Sequence, residues 1–278
     1  MKEEEIRKVV RKSYARVAKP GGSCCVPVTS CCGNIDLVSN ISKKMGYTDK
    51  ELEAVPEGAN LGLGCGNPVA LASLKEGETV LDLGSGAGFD CFLAANRVGK
   101  TGKVIGVDMT HEMIEKAREN VVKGNYGNVE FRLGEIENLP VADNSVDIVI
   151  SNCVINLSPD KRRVFTEAHR VLRPGGRLMV SDIVLTKELP DSIKNSAQAY
   201  VACLAGAMMK DKYLEAIRAA GFQEVKVIEE TTFPVEYLVN DPAGKAVVED
   251  SGIRAEDLEE IADGILSVKA SGIKSRKV

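Results

Sequence analysis

The sequence lacks several things, and each lack removes a class of function. No apolar run approaches the ~20 residues that a membrane-spanning helix needs. Lys and Arg number 36 against 40 Asp and Glu, for a formal net charge of -4, so there is no basic footprint for nucleic acid. The opening Met-Lys-Glu-Glu-Glu-Ile-Arg has no apolar core of a secretory signal, and a cytoplasmic location is expected. There are two histidines, His111 and His169, each alone in a helical pattern, and neither is assigned a role. No internal repeat and no low-complexity tract interrupts the chain.

What remains is ordinary in bulk and unusual in one residue type. With 278 residues and 44% apolar content, the chain can bury a full core near the upper size for one domain. Eight cysteines are many for such a chain. Cys24, Cys25, Cys31 and Cys32 crowd one loop, while Cys65, Cys91, Cys153 and Cys203 are scattered. In a reducing compartment this favours metal or redox chemistry over a disulfide framework. The paired cysteines lack the C-x-x-C spacing of a zinc knuckle, so a structural zinc is poorly supported.

The chain is organised around Thr79-Val-Leu-Asp-Leu-Gly-Ser-Gly-Ala-Gly-Phe-Asp90. A β-forming run meets Asp82, breaks into Gly84, Gly86 and Gly88, and passes into a helical pattern through Val98. Strand, glycine turn and helix form the ligand loop of a doubly wound α/β sheet. The last glycine comes one residue too early for the dinucleotide fingerprint, which disfavours a dehydrogenase. The G-x-G-x-G spacing resembles motif I of class I S-adenosylmethionine methyltransferases.

Around this motif the pattern predicts a mostly parallel, Rossmann-like sheet. An amphipathic helix is expected over residues 3–18, and a capping box at Thr48-Asp-Lys-Glu51 starts a short helix. Residues 59–68 read as a flexible loop presenting Cys65. Strands are expected at 103–108, 129–133, 146–151 and 177–185, with a helix at 111–123 and another capped by Ser158-Pro159. Residues 191–209 read as helical, 210–220 as a helix, 225–229 as a sixth strand, and 255–269 as a helix and a last strand. The division expected is 1–70 as a helical and Cys-rich extension, 71–185 as the cofactor domain, and 186–278 as a helical cover with a smaller α+β part.

In such sheets the ligand lies beyond the carboxyl ends of the strands, at the switch in strand order. Asp82 with Gly84, Ser85, Gly86 and Gly88 can hold the methionine end of the cofactor. Asp108, with Met109 beside it, can accept from both ribose hydroxyls. Glu135, next to Ile136, can take the adenine amino group, and Asn152 faces the same crevice. Asp147 reads as structural.

Cys153 directly follows Asn152, where class I methyltransferases place substrate. Cys203 lies in a segment that would cover the strand ends, and Cys65 in the loop entering the sheet. Cys91, in an apolar helix, reads as a buried core residue. For Cys65 and Cys203, composition alone leaves simple burial ahead.

Ser151-Asn-Cys-Val-Ile-Asn-Leu157, Leu63-Gly-Cys-Gly-Asn-Pro68, Asp82–Cys91 and Val107-Asp-Met-Thr110 closely resemble arsenite S-adenosylmethionine methyltransferases. The resemblance runs from about residue 10 to about 225, and Phe89 departs from the family pattern. It implies methylation of trivalent arsenic for detoxification, with S-adenosylmethionine as donor and Cys65, Cys153 and Cys203 as the arsenic-binding thiols. A fourth family cysteine corresponds best to Cys32 by spacing, with Cys31 an alternative. A thiol reductant of thioredoxin or glutathione type is implied, and with it thioredoxin as a partner. Because arsenic attacks through a lone pair and has no proton to lose, no general base is expected. The competing readings are a methyltransferase for a small quinone-like molecule and a non-catalytic thiol protein for soft metals.

Overall fold

The computed structural model describes residues 3–19, 34–232, 247–248, 250 and 258–276. The expectations for Cys24, Cys25, Cys31 and Cys32 fall outside these residues. The strands are β1 (Thr79–Leu83), β2 (Lys103–Asp108), β3 (Val129–Leu133), β4 (Val146–Asn152), β5 (Leu172–Leu185), β6 (Met208–Met209), β7 (Phe222–Thr232) and β8 (Ile265–Lys274). They form one sheet ordered β3-β2-β1-β4-β5-β8-β7, with β6 beside the end of β5. β1 to β5 pair in parallel, while β8 runs antiparallel between β5 and β7. The strands of the last third therefore extend the same sheet.

Alternation along the central strands fills two cores. Leu81, Leu83, Val107 and Val149 point to the face covered by α7 (Lys161–Val171) and α10 (Lys210–Ala219). Val80, Val104, Ile148 and Ile150 point to the face covered by α5 (Phe89–Val98) and α6 (His111–Gly124). Burial on both faces is why these strands read as nearly continuous apolar runs.

Further helices among the described residues are α1 (Glu3–Ala18), α2 (Asn34–Lys44), α3 (Asp49–Glu53), α4 (Pro68–Leu71), α8 (Asp191–Lys194), α9 (Ala197–Val201) and α11 (Leu258–Asp263). α1 packs against α6 and α9 at the carboxyl ends of the strands. The capping box at α3 forms as the sequence predicts, with Thr48 and Glu51 exchanging bonds.

Three local expectations are corrected. The cap of α7 is Asp160, whose carboxylate accepts from the Arg163 N–H at 3.0 Å; Ser158 instead donates to Glu137 at 2.7 Å. Residues 191–209 break into α8, α9, a turn and β6, because Ser196 caps α9 and Cys203 stands at φ 63°. β5 begins at Leu172 and takes the Arg173–Gly176 turn as a bulge opposite β4. Asp147 is structural: it accepts from Thr79 N–H and pairs with Arg173.

Candidate active site

Strand order reverses between β1 and β4, and a crevice opens at their carboxyl ends. It holds about 1080 Å³ including its mouth to solvent. Asp82, Gly84, Ser85, Gly86, Asp108, Met109, Ile136, Asn152 and Cys153 all line it. α1 contributes Arg7, Val10 and Tyr14 to its wall.

The glycine turn is shaped by what it must clear. Gly84 sits at φ 66°, and a β-carbon there would collide with Val154. Gly86 stands at φ 51° facing open space, and its N–H donates to Asp108 Oδ2 at 3.0 Å. The other Asp108 oxygen accepts from Thr110 N–H at 2.8 Å. These two bonds lower the Asp108 pKa, yet burial outweighs them and leaves it raised.

Asp82 is buried beside Asp90, and its visible donor is the Cys91 thiol at 3.2 Å. Burial, then the Asp90 charge, hold its carboxyl well above the usual range. A cation brought by a ligand would restore its ionised form. Ser85 Oγ is likewise buried with no partner among the described residues. The amine, sulfonium and hydroxyls of S-adenosylmethionine fit these groups.

Two expected cofactor residues are placed differently. Glu135 lies off the crevice and pairs with Arg7 and Arg11, its side chain 39% exposed. Glu137, two residues later, is buried, lines the crevice and accepts from Ser158. Both acids reach Arg7, but only Glu137 lines the crevice, a distinction that no spacing rule reveals. Gly88 does not line the crevice; at φ 96° it begins α5, and a β-carbon there would meet Phe131 and Phe92.

Asn152 lines the crevice but is occupied by its neighbours. Its amide donates to Tyr47 Oη at 2.9 Å, Gly66 O at 2.8 Å and Asp90 Oδ2 at 3.0 Å. Its oxygen accepts from Cys65 N–H at 3.0 Å. Tyr47 in turn donates to Asp90 Oδ1 at 2.7 Å. The loop expected to be flexible is therefore clamped to the end of β4, and Asn152 acts as the clamp. Gly66 allows the close approach, since a β-carbon there would strike Ser181.

Cys65, Cys153 and Cys203 come together beside the crevice, the first half-buried and the others buried. Cys153 is central: its thiol interacts with those of both Cys203 and Cys65, and these bonds, ahead of burial, push its pKa well up. Burial raises that of Cys65, whose thiol donates to Ser181 O at 3.5 Å. The Cys203 thiol donates to Cys153 O at 2.9 Å. Cys153 and Cys203 both adopt left-handed backbone, at φ 58° and 63°, a costly conformation for non-glycine residues.

Sequence reasoning passed over Asp182. Its carboxylate and the Cys65 and Cys153 sulfurs lie within 4.8 Å of one another, and Cys203 is outside that group. Burial raises the Asp182 pKa to about 7, against donation from Tyr213 Oη at 3.1 Å and Ile183 N–H. A buried carboxyl therefore stands beside the thiols, a neighbour the sequence reading does not name. The acid near the end of β5 was the available signal, parallel to those of β1 and β2. Cys91 is buried as expected, but it also donates to Asp82. His169 packs edge-on against Phe222.

A doubly wound sheet with a glycine turn after β1 and acids at successive strand ends defines a Rossmann-like methyltransferase domain. The methyltransferase-domain family model matches residues 74–221. An arsenite methyltransferase of Halobacterium salinarum is 50% identical over 255 residues, covering 88% of this chain and 65% of that protein. One of Mus musculus is 37% identical over 215 residues, covering 74% and 54%. A solved arsenic(III) S-adenosylmethionine methyltransferase from Chlamydomonas reinhardtii superposes with a TM-score of 0.65 at 33% identity, covering 85% of this chain and 74% of that one. The chain belongs to the arsenite methyltransferase family. It spans less than two thirds of the length of the curated relatives it matches. No described helix is long and apolar enough to cross a membrane.

Proposed function

We propose that this chain transfers a methyl group from S-adenosylmethionine to trivalent arsenic held by Cys65, Cys153 and Cys203. The observation that carries the reading is the convergence of three cysteines, from three separate elements, beside a crevice lined by Asp82, Gly86 and Asp108. Bound S-adenosylmethionine supplies an electrophilic methyl on a sulfonium. Asp82 and Ser85 would face its amino-acid end, Asp108 the ribose, and Glu137, in place of Glu135, the side of the base.

Trivalent arsenic is soft and prefers sulfur to carboxylate or imidazole. Arsenite carries hydroxyls, and each neutral thiol that binds displaces one as water. Cys65, held protonated by burial, and Cys153, held so first by its bonds to the other thiols, therefore suit the loading step, and no net base is consumed. Three sulfurs leave the arsenic lone pair on the fourth side. Pointed at the methyl, that pair would attack in line as the sulfonium S–CH3 bond breaks and S-adenosylhomocysteine leaves, and the protein contributes alignment. The left-handed turns at Cys153 and Cys203 and the Asn152 clamp on Cys65 fix the donor atoms before substrate arrives.

Methyl transfer would leave the arsenic formally pentavalent; two of its thiolates would return two electrons to it and leave as a disulfide, which a thioredoxin- or glutathione-type reductant would reopen, making thioredoxin a candidate partner. Cys32, or Cys31, would serve the first methylation. Arsenic detoxification and a cytoplasmic location follow from the same reading. The test is incubation with S-adenosylmethionine, arsenite and a thiol reductant, with methylated arsenicals separated and measured. Methylated arsenic is expected, and its absence with cofactor bound would leave a methyltransferase for another substrate.

A further inference from the structure

Arsenic uses only part of what the thiol pocket offers. The sulfurs of Cys65 and Cys153 and a carboxylate oxygen of Asp182 form a mutual cluster within 4.8 Å, drawn from the loop before α4, the turn after β4, and β5. Asp182 is fully buried, and the amine of Lys161, bonded to Asn156 O and Ser158 O, lies close enough to act on it electrostatically. A pyramidal arsenic with three sulfurs and a lone pair has no place for an oxygen ligand. A d10 divalent cation has no such lone pair and takes four ligands in a tetrahedron, thiolate and carboxylate among them.

We propose that the pocket is also a site for a thiophilic divalent cation of the zinc and cadmium type, held by Cys65, Cys153 and Asp182, with Cys203 or a water as fourth ligand. On binding, the two thiol protons and any proton on Asp182 leave to solvent. The two charges of the ion and the ammonium of Lys161 then balance two thiolates and one carboxylate, which makes burial of the cluster tolerable. The ion takes two of the sulfurs that arsenic needs, so the two exclude each other. Only this exclusion rests on the arsenic reading; the cation site stands on its own ligands.

The test uses the full chain, reduced, with Cys24, Cys25, Cys31 and Cys32 replaced by Ser so that the crowded loop does not compete. Cadmium titration, followed by thiolate charge-transfer absorbance, is expected to reach one ion per chain. Asp182→Asn, which keeps the bond to Tyr213, should weaken cadmium at least tenfold and change arsenite binding less than twofold. Equal cadmium affinity in both proteins, or equal losses of cadmium and arsenite, would overturn the proposal. Without any change at 182, the cadmium-113 resonance should report mixed sulfur and oxygen ligation; an all-sulfur resonance would also overturn it. If cadmium binds with this dependence and arsenite binds neither protein, the cation site stands and the arsenic reading fails.

Discussion

The crevice and the thiol pocket lie side by side at one end of the sheet, yet they are built in opposite ways. The crevice has a contiguous heart: β1 and the glycine turn after it supply Asp82, Gly84, Ser85 and Gly86 within a few residues. The thiol pocket is assembled from positions 65, 153, 182 and 203, whose neighbours in sequence share no motif. Binding a nucleoside needs backbone close to the ligand, which a contiguous turn provides. Gripping one atom from several sides needs donors that approach from different elements. Asn152 joins the two regions, bonded to Asp90 in the crevice wall and to the Cys65 backbone in the pocket.

Separate construction implies separable failure. The largest effect is expected for Cys153→Ser, which removes the central sulfur: arsenic methylation should fall at least about 100-fold, with S-adenosylmethionine affinity by calorimetry unchanged. Asp108→Ala removes the acceptor of Gly86 and Thr110 N–H. It should weaken S-adenosylmethionine roughly tenfold or more, on the order of the 1.5–3 kcal/mol of a charged hydrogen bond, and leave arsenite binding intact. Loss of both bindings in either variant would break the division.

Asn152→Ala strikes the joint itself. Four bonds to buried or half-buried partners are lost, so stability should drop by about 2 kcal/mol, and arsenite and cofactor binding should both weaken. Thermal unfolding with and without each ligand reads this directly.

A fourth effect concerns pH. The Asp182 carboxyl sits at about 7 when folded, against an ordinary 3.8. A raised carboxyl favours the protonated form in the native state, so its stabilising contribution is complete below about pH 4 and is lost as pH rises toward 7. Asp182→Asn should flatten the melting temperature across that window; an unchanged slope would show that other groups set it. Smallest is Glu135→Ala, a half-exposed ion-pair partner, which should cost less than about 1 kcal/mol. Glu137→Ala should weaken the cofactor more than Glu135→Ala does, as measured by calorimetry.

Legibility in the sequence followed the same divide. Strands β1 to β4 fall at or within a residue of where their apolar runs place them, because burial on both faces leaves few other readings. The capping box at Thr48 was equally plain, being a pattern of four adjacent residues. Asp82 and Asp108 line the crevice, where their positions at strand ends place them. Glu135 is the acid the sequence points to, while Glu137 is the one that lines the crevice, because a loop, unlike a strand, has no fixed period. The broken helix at 191–209 was hidden because alanine-rich sequence favours a helix, while the packed turn at Cys203 overrides propensity.

By itself, the sequence determined the α/β sheet, the glycine turn and the resemblance that pointed to soft-atom chemistry, since these rest on contiguous residues. Only the tertiary structure decided that β8 enters between β5 and β7, that Asn152 clamps the Cys65 loop, and that Asp182 joins the sulfurs. The reason is physical: local pattern fixes which face of a strand is buried. Which distant side chains meet at its end depends on crossovers and left-handed turns that the packed molecule holds in place.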